Sequence, residues 1–562
     1  MKRNFMFLTM VFMACFVLNS CIPQEKVHKG DLEIYNPFDL MTVSDYTSIT
    51  GDLIICQKKS YSTEPALLKF TNIDAFKNLT HIGGSLIIEY CPKLKDIDGL
   101  KNLESIGGSI TIRYNEELAN LTGFQNLTSV GGDISIIIND SLTSLTGLEN
   151  ITSLDGSLNI HCLYLTSLNG LNNITSVGGD LSIHQLGRKC SNLNGLNSLT
   201  SVGKSLILNN NSIADLTGLE NISSVGEDIQ IVYNPSFPSN ESGLVSLAGL
   251  EGITTVGRDV YIQGNYFLTS AEGLGNITSI GRNLQIFKTH HLQALKFDKL
   301  KSVSNDFLIY SNYSLPSSAV TALRDQVLAS DGIGGNITIK NNLDDSYPGP
   351  VWVGGYTIEN RSDLANLSEY NYVSGSLTIK YSTDLIDLNG LESLTRIGGT
   401  LMITSNEALT SLAGIENLTS IGEVISIYDN PVLSGISSLE KITSIENLEI
   451  SGNEALNSLE GLKNLTSIEK NVIIRYNPTL NDLADLENIT SIGNTLTISF
   501  NTALTSLNLI QLCSVGEDFT IMNNDNLCDN QALDLKNQVE ICSGSALTGN
   551  VTIRNNKDCS MP

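Results

Sequence analysis

The 562-residue sequence is short of cations and of aromatic rings. Lys and Arg number 33 against 59 Asp and Glu, a formal net charge of −26, and aromatics make up 6% of the chain with a single Trp. A surface that acidic excludes a nucleic-acid or anionic-membrane binder, since both need a cationic face. With so few rings, a core has to be built from aliphatic side chains, and 47 glycines beside a 41% hydrophobic content point to tight turns around such a core rather than to disorder. Beyond the N-terminus no run of ~18 apolar residues occurs, so no further helix of the chain is expected to span a bilayer. Cys-x-x-Cys pairs are also missing, which favours disulfides over zinc for the cysteines.

What is present begins with an address. Lys2-Arg3, an apolar run from Phe5 to Leu18 and then Leu18-Asn19-Ser20-Cys21 read as a secretory signal over residues 1–20. Leu-x-Ser-Cys resembles the lipobox of bacterial lipoproteins, which implies acylation of Cys21 and a tether over 21–29, with the mature chain in water and its membrane contact made through lipid alone. Outside the cytosol Cys56, Cys91, Cys162, Cys190, Cys513, Cys528, Cys542 and Cys559 are candidates for disulfides, four of them crowded near the C-terminus where they would staple a chain end.

A repeat decides the fold. GGSITIRYNEELANLTGFQNLTSV from Gly107 and GGTLMITSNEALTSLAGIENLTSI from Gly398 share one frame, and most copies of the frame follow one another at 23 to 25 residues. Each unit carries L-x-I, L-x-x-L-x-G-L and L-T-S-I, short strands and bends with no sustained helical period. Stacked coils would pair strands in parallel sheets around an aliphatic column, and the Gly-Gly before each strand is expected to open the turn through its tolerance of positive φ. An Asn three places after the last aliphatic residue of the strand (Asn115, Asn139, Asn211, Asn234, Asn265, Asn406, Asn430, Asn453, Asn477, Asn501, Asn524) is expected to satisfy backbone groups of adjacent turns.

A longer period lies over the first. Gly30 to Asn36 with Asp39-Leu40 returns as Gly354 to Asn360 with Asp363-Leu364, and the helical spacing of Ala319, Leu323 and Val327 returns as Ala532, Leu535 and Val539. The chain therefore reads as a tandem duplication: a first solenoid over 30–343, a linker over 344–350 and a second solenoid over 351–562, each closed by a short capping helix.

This unit, with its Gly-Gly, its LTSL-x-GL and its Cys-bearing last turn, resembles the receptor L domain of insulin-receptor and EGF-receptor ectodomains. It is especially similar to the L-domain-like repeats of bacterial surface lipoproteins of Bacteroidetes type, over essentially all of residues 30–559. The resemblance implies an all-β, right-handed, leucine-rich-repeat-related solenoid that binds partners through its sheet face, on the outer membrane and cell surface of a Gram-negative bacterium. The chain departs from receptors in its longer first copy, in lacking cysteines at that copy's end, and in having no furin-like module between copies.

Along each strand, alternate side chains form outward ladders ~4.8 Å apart. Parallel β-helix enzymes that cut glycans group acids on such a face. Here Glu89 stands beside Arg113 and Glu449 has no acidic neighbour, so no enzyme and no cofactor are expected. His161 and His184 share a row on consecutive coils, a weak metal pair without a third ligand, and His290-His291 falls on a bend. The Asn-Leu/Ile-Thr sequons follow from the repeat. The expected ligand-binding patch is Tyr261, Phe287, Leu308 and Tyr310 with Gln230, Gln263 and Gln285 interleaved and the insertion from Pro235 to Gly243 as a rim, facing a protein or carbohydrate ligand. The competing functions are a passive spacer or surface-layer component and, behind it, an extracellular glycan-degrading enzyme.

Overall fold

The computed structural model describes residues 25–56, 71–187, 189–234, 243–344 and 346–559. The signal segment, Cys21 and most of the insertion from Pro235 lie outside these residues, as does the side chain of Cys56. The chain is an all-β parallel solenoid of about 20 turns with about 24 residues per coil. It divides into two compact units, the first holding most of the chain up to Asn305 and the second running from Asp306 to the C-terminus together with Tyr266–Ser270 and Gln285–Leu295.

One coil of the first unit explains the rest. Strand Ile110–Arg113 alternates, with Ile110 and Ile112 fully buried and Thr111 and Arg113 outward. The chain then bends through Leu118 and Leu121, closes a 3-10 turn over Thr122–Phe124, and ends in the two-residue strand Ser129–Val130. Pairing is parallel and without slippage: Ile110 lies opposite both Leu86 and Ile134, so each aliphatic residue stacks on its counterpart in the next coil. In the second unit the same arrangement gives a nine-stranded sheet from Tyr356–Ile358 to Val551–Arg554.

The Gly-Gly pairs owe their place to a different cause from the one expected. Gly83, Gly107 and Gly131 do not adopt positive φ. A Cβ on Gly107 would instead stand 2.2 Å from the carbonyl oxygen of Gly83, and one on Gly131 equally close to that of Gly107. Glycine is favoured there because adjacent coils touch backbone to backbone, although Asp155, Ser374 and Glu469 hold the same place in other coils. Positive φ falls on the residue just after most of the long strands, usually not a glycine: Tyr90, Tyr114, Ile138, Gln185, Asn210 and Tyr233 in the first unit, Tyr381, Tyr476 and Phe500 in the second.

The asparagine ladder is present and fully buried. Asn453 Oδ1 accepts from both the backbone N–H and the side-chain amide of Asn430, while its own Nδ2 donates to the Ile427 carbonyl one coil back. Asn312, Asn342 and Asn556 extend the ladder at the ends of the two copies. The sequon asparagines form a second ladder, as in Asn126 to the Lys101 carbonyl and Asn150 to the Gln125 carbonyl.

The cysteines divide. Cys513–Cys542 and Cys528–Cys559 are disulfides. Cys162 and Cys190, expected as disulfide partners, are buried thiols. Cys162 occupies an asparagine-ladder position and its Sγ donates to the Ile136 carbonyl as an amide would, and burial pushes its thiol up to about 11. Cys91 is likewise buried at a ladder position, with its N–H donated to Asn115 Oδ1.

Both copies begin alike. The Asp39 carboxylate accepts from the N–H groups of Tyr35 and Asn36, and that of Asp363 from Glu359 and Asn360. Both end under a helix. Ser317–Leu328 buries Val320, Leu323 and Val327, so its inward stripe starts at Val320 and not at Ala319; Asp529–Ser543 buries Ala532, Leu535 and Val539. Among the described residues no helix is long and apolar enough to cross a membrane.

Candidate functional site

The residues singled out from the sequence fall in both units. In the first, Tyr261 does not stand free on the sheet. Its hydroxyl donates to Gln263 Oε1 at 2.6 Å, and Gln263 Nε2 donates to the Tyr233 hydroxyl at 2.7 Å. Gln230 turns back to the Asp228 carboxylate. Tyr233 itself sits at positive φ with 39% of its surface exposed, and its ring lies over Gly264, where a Cβ would meet the ring at 2.3 Å. Two of the expected ligand residues thus hold a third ring that the sequence did not single out.

Tyr233 forms one wall of a depression of about 550 Å³ lined by Asn159, His161, His184, Gln185, Asn209 and Asn210. The histidines are 6.2 Å apart between ring centres. His161 Nε2 meets Gln185 Oε1 and His184 Nε2 meets Ser182 Oγ, both at 2.6 Å. Burial, with His161 adding to it, holds His184 below its ordinary pKa, so it stays neutral at neutral pH. Asn159 Oδ1 is buried and accepts no hydrogen bond. Among the described residues no cluster of three or more His, Cys, Asp or Glu side chains is placed to hold a metal.

In the second unit Phe287 is only 8% exposed, so the ring expected to face solvent is covered; it stacks on Tyr310 with centres 4.8 Å apart. Burial raises the Tyr310 hydroxyl, with Lys340 opposing and Glu446 and Glu423 adding to the rise. Lys340 from the end of the first copy pairs with Glu446 at 2.8 Å and Asn341 Nδ2 donates to the Gly422 carbonyl, both in the second copy. These neighbours make the Phe287–Tyr310 pair part of an internal packing surface. Gln285 is half-buried, as is Leu308 opposite Thr338. His290 is held between the rings of Tyr266 and Tyr313, and burial, then His291 and Lys288, push it down to about 4.

Rings that meet solvent beside the long strands were missed. They occupy the positive-φ row, one residue beyond the two ladders read from the sequence. Tyr90 and Tyr114 stack with centres 4.7 Å apart in the first unit, and Tyr476 and Phe500 do so at the same distance in the second. Each stack adjoins an ion pair, Glu89–Arg113 at 2.9 Å and Glu449–Arg475 at 3.4 Å. The recurring signal was Arg113-Tyr114-Asn115 and Arg475-Tyr476-Asn477, the same tripeptide in the same frame of both copies. Beside the second stack, Met402, Ser426, Tyr428, Asp429, Glu449, Ser451 and Arg475 line a depression of about 350 Å³.

The fold and these sites define the class of the protein as a parallel β-solenoid with polar and aromatic rows displayed along its long-strand sheet. No family model matches the chain, and no curated protein matches it either.

Proposed function

We propose that the chain is a non-enzymatic surface lipoprotein of the receptor L-domain type, anchored through Cys21, that recognises a protein or glycan ligand with the outer rows of its long-strand sheet. The observation that carries this reading is the placing of Tyr90, Tyr114, Tyr233, Tyr381, Tyr476 and Phe500 at positive φ. A side chain there costs about 1–2 kcal/mol that glycine avoids. The same row uses Gly264, Gly452, Asn210 and Asn523 in other coils, so cheaper residues are tolerated. Rings kept at a strained, solvent-facing position add nothing to the core, and strain of this kind collects where a surface has work to do.

A passive spacer would need no such rings. Probing an array of glycans and surface-protein ectodomains with the chain purified from residue 22 onward separates the two. Recognition predicts a saturable ligand; a chain that binds nothing on either array is a spacer. For the anchor, Cys21→Ala is expected to move the protein from the membrane to the soluble fraction, and unchanged fractionation would remove the lipoprotein reading.

A further inference from the structure

The depression under Tyr233 has a chemistry that the general reading leaves unused. Its described lining carries amides, imidazoles and a phenol but no Lys, Arg, Asp or Glu. A charged ligand would find no counter-charge there, and a purely apolar one would strand the polar groups. Amides, and the imidazole of His184 held neutral by burial, each offer both donors and acceptors, which matches a ligand whose hydroxyls also do both. Asn159 Oδ1 supplies the specific vacancy, a buried acceptor to which nothing in the protein donates. Such a group is destabilising unless a donor arrives. The Tyr233 ring is fixed from behind by Gln263 and from below by Gly264, so it is pre-set as a stacking wall. The volume of about 550 Å³ also lies within the ~300–1,000 Å³ usual for small-ligand clefts.

We infer that this depression is a binding subsite for a neutral saccharide, with Asn159 Oδ1 accepting from a sugar hydroxyl, His184 and Gln185 bonding to its neighbours, and Tyr233 packing against the ring face. The inference rests on the recognition reading above and narrows it to one ligand class and one place. The two histidines serve as hydrogen-bonding groups here, not as metal ligands.

The test is calorimetric titration of the chain from residue 22 onward with neutral hexasaccharides (β-1,4-glucan, β-1,3-glucan, α-1,4-glucan, β-1,4-xylan and β-1,4-mannan) and with hexagalacturonate as the charged comparison. At least one neutral hexamer is expected to bind, and hexagalacturonate is not. Affinity should fall about ten-fold or more, a loss of ~1.4 kcal/mol, in Tyr233→Ala and in Asn159→Leu. Gly264→Ala, which displaces the ring without removing it, should weaken binding as well. The thermal midpoint of Tyr233→Ala should stay close to that of the parent, which separates lost binding from lost folding. Saccharide binding that survives Tyr233→Ala and Asn159→Leu overturns the inference and leaves the recognition reading standing. So does a protein ligand captured on the array when no neutral hexamer binds. Saturable Zn²⁺ binding lost in His161→Ala, with no saccharide bound, would reassign the pair to a metal. Absence of any ligand on either array would end both readings.

Discussion

At the scale of the residue, the solenoid depends on side chains that act as backbone. Asn453→Ala strips the acceptor from two buried donors of Asn430 and the donor from the Ile427 carbonyl. At about 1–3 kcal/mol for each buried group left unsatisfied, the variant should lose roughly 2–4 kcal/mol. Asn457→Ala, an exposed position, should stay within ~0.5 kcal/mol; equal denaturant midpoints for the two would contradict the ladder. His290 adds a pH dependence. Its pKa is about 4 in the fold against an ordinary 6.5, so between these values the unfolded chain binds the proton and the folded chain does not. Stability should therefore be full above pH ~6.5 and fall as the pH drops toward ~4, by roughly 3 kcal/mol at most. His290→Gln should flatten that part of the melting-temperature profile, and a profile of unchanged slope would contradict it. The asparagine ladder was legible because one residue type recurs at the coil period. The positive-φ row was not, because Tyr, Ile and Gln give no sign of a left-handed backbone.

At the scale of the element, coil contacts and caps carry the argument. Strands, register and core were legible from L-x-I alone, since a one-residue slip would turn every aliphatic residue outward. The role of Gly-Gly was misread because sequence shows which residue tolerates a turn but not how closely a neighbouring coil approaches. The disulfides were legible only as a set. Cys162 and Cys190 look like Cys513 in the sequence, yet the first stands in a ladder position where a thiol replaces an amide. The closing helix Asp529–Ser543 is tied by Cys513–Cys542 and Cys528–Cys559, at sequence separations of 29 and 31. Loops of that size confer about 3–4 kcal/mol each in the chain-entropy account. Cys513→Ala with Cys542→Ala should lower the unfolding free energy by about 3 kcal/mol and expose the last coil to proteolysis first. Uniform cleavage along the chain would show that the staple does not set the weakest end.

At the scale of the molecule, an aromatic stack stands in each of the two units. Each stack adjoins an ion pair, but the two pairs differ: Glu89 lies directly opposite Arg113 beside Tyr90–Tyr114, whereas Glu449 lies opposite Ile473 and reaches Arg475 diagonally beside Tyr476–Phe500. The patch foreseen around Phe287 and Tyr310 lies instead among Lys340, Glu423 and Glu446, a contact between distant parts of the sequence that no local pattern announces. The most direct test of recognition through the outer rows replaces Tyr90, Tyr114, Tyr233, Tyr476 and Phe500 together by Asn, which suits a left-handed backbone. Strain relieved at five positions should offset the two lost stacks, each about 0.5–1.5 kcal/mol, so the thermal midpoint should hold. Binding to whatever ligand the arrays identify should weaken by ten-fold or more, ~1.4 kcal/mol. A variant that melts with the parent and binds its ligand undiminished would contradict the account.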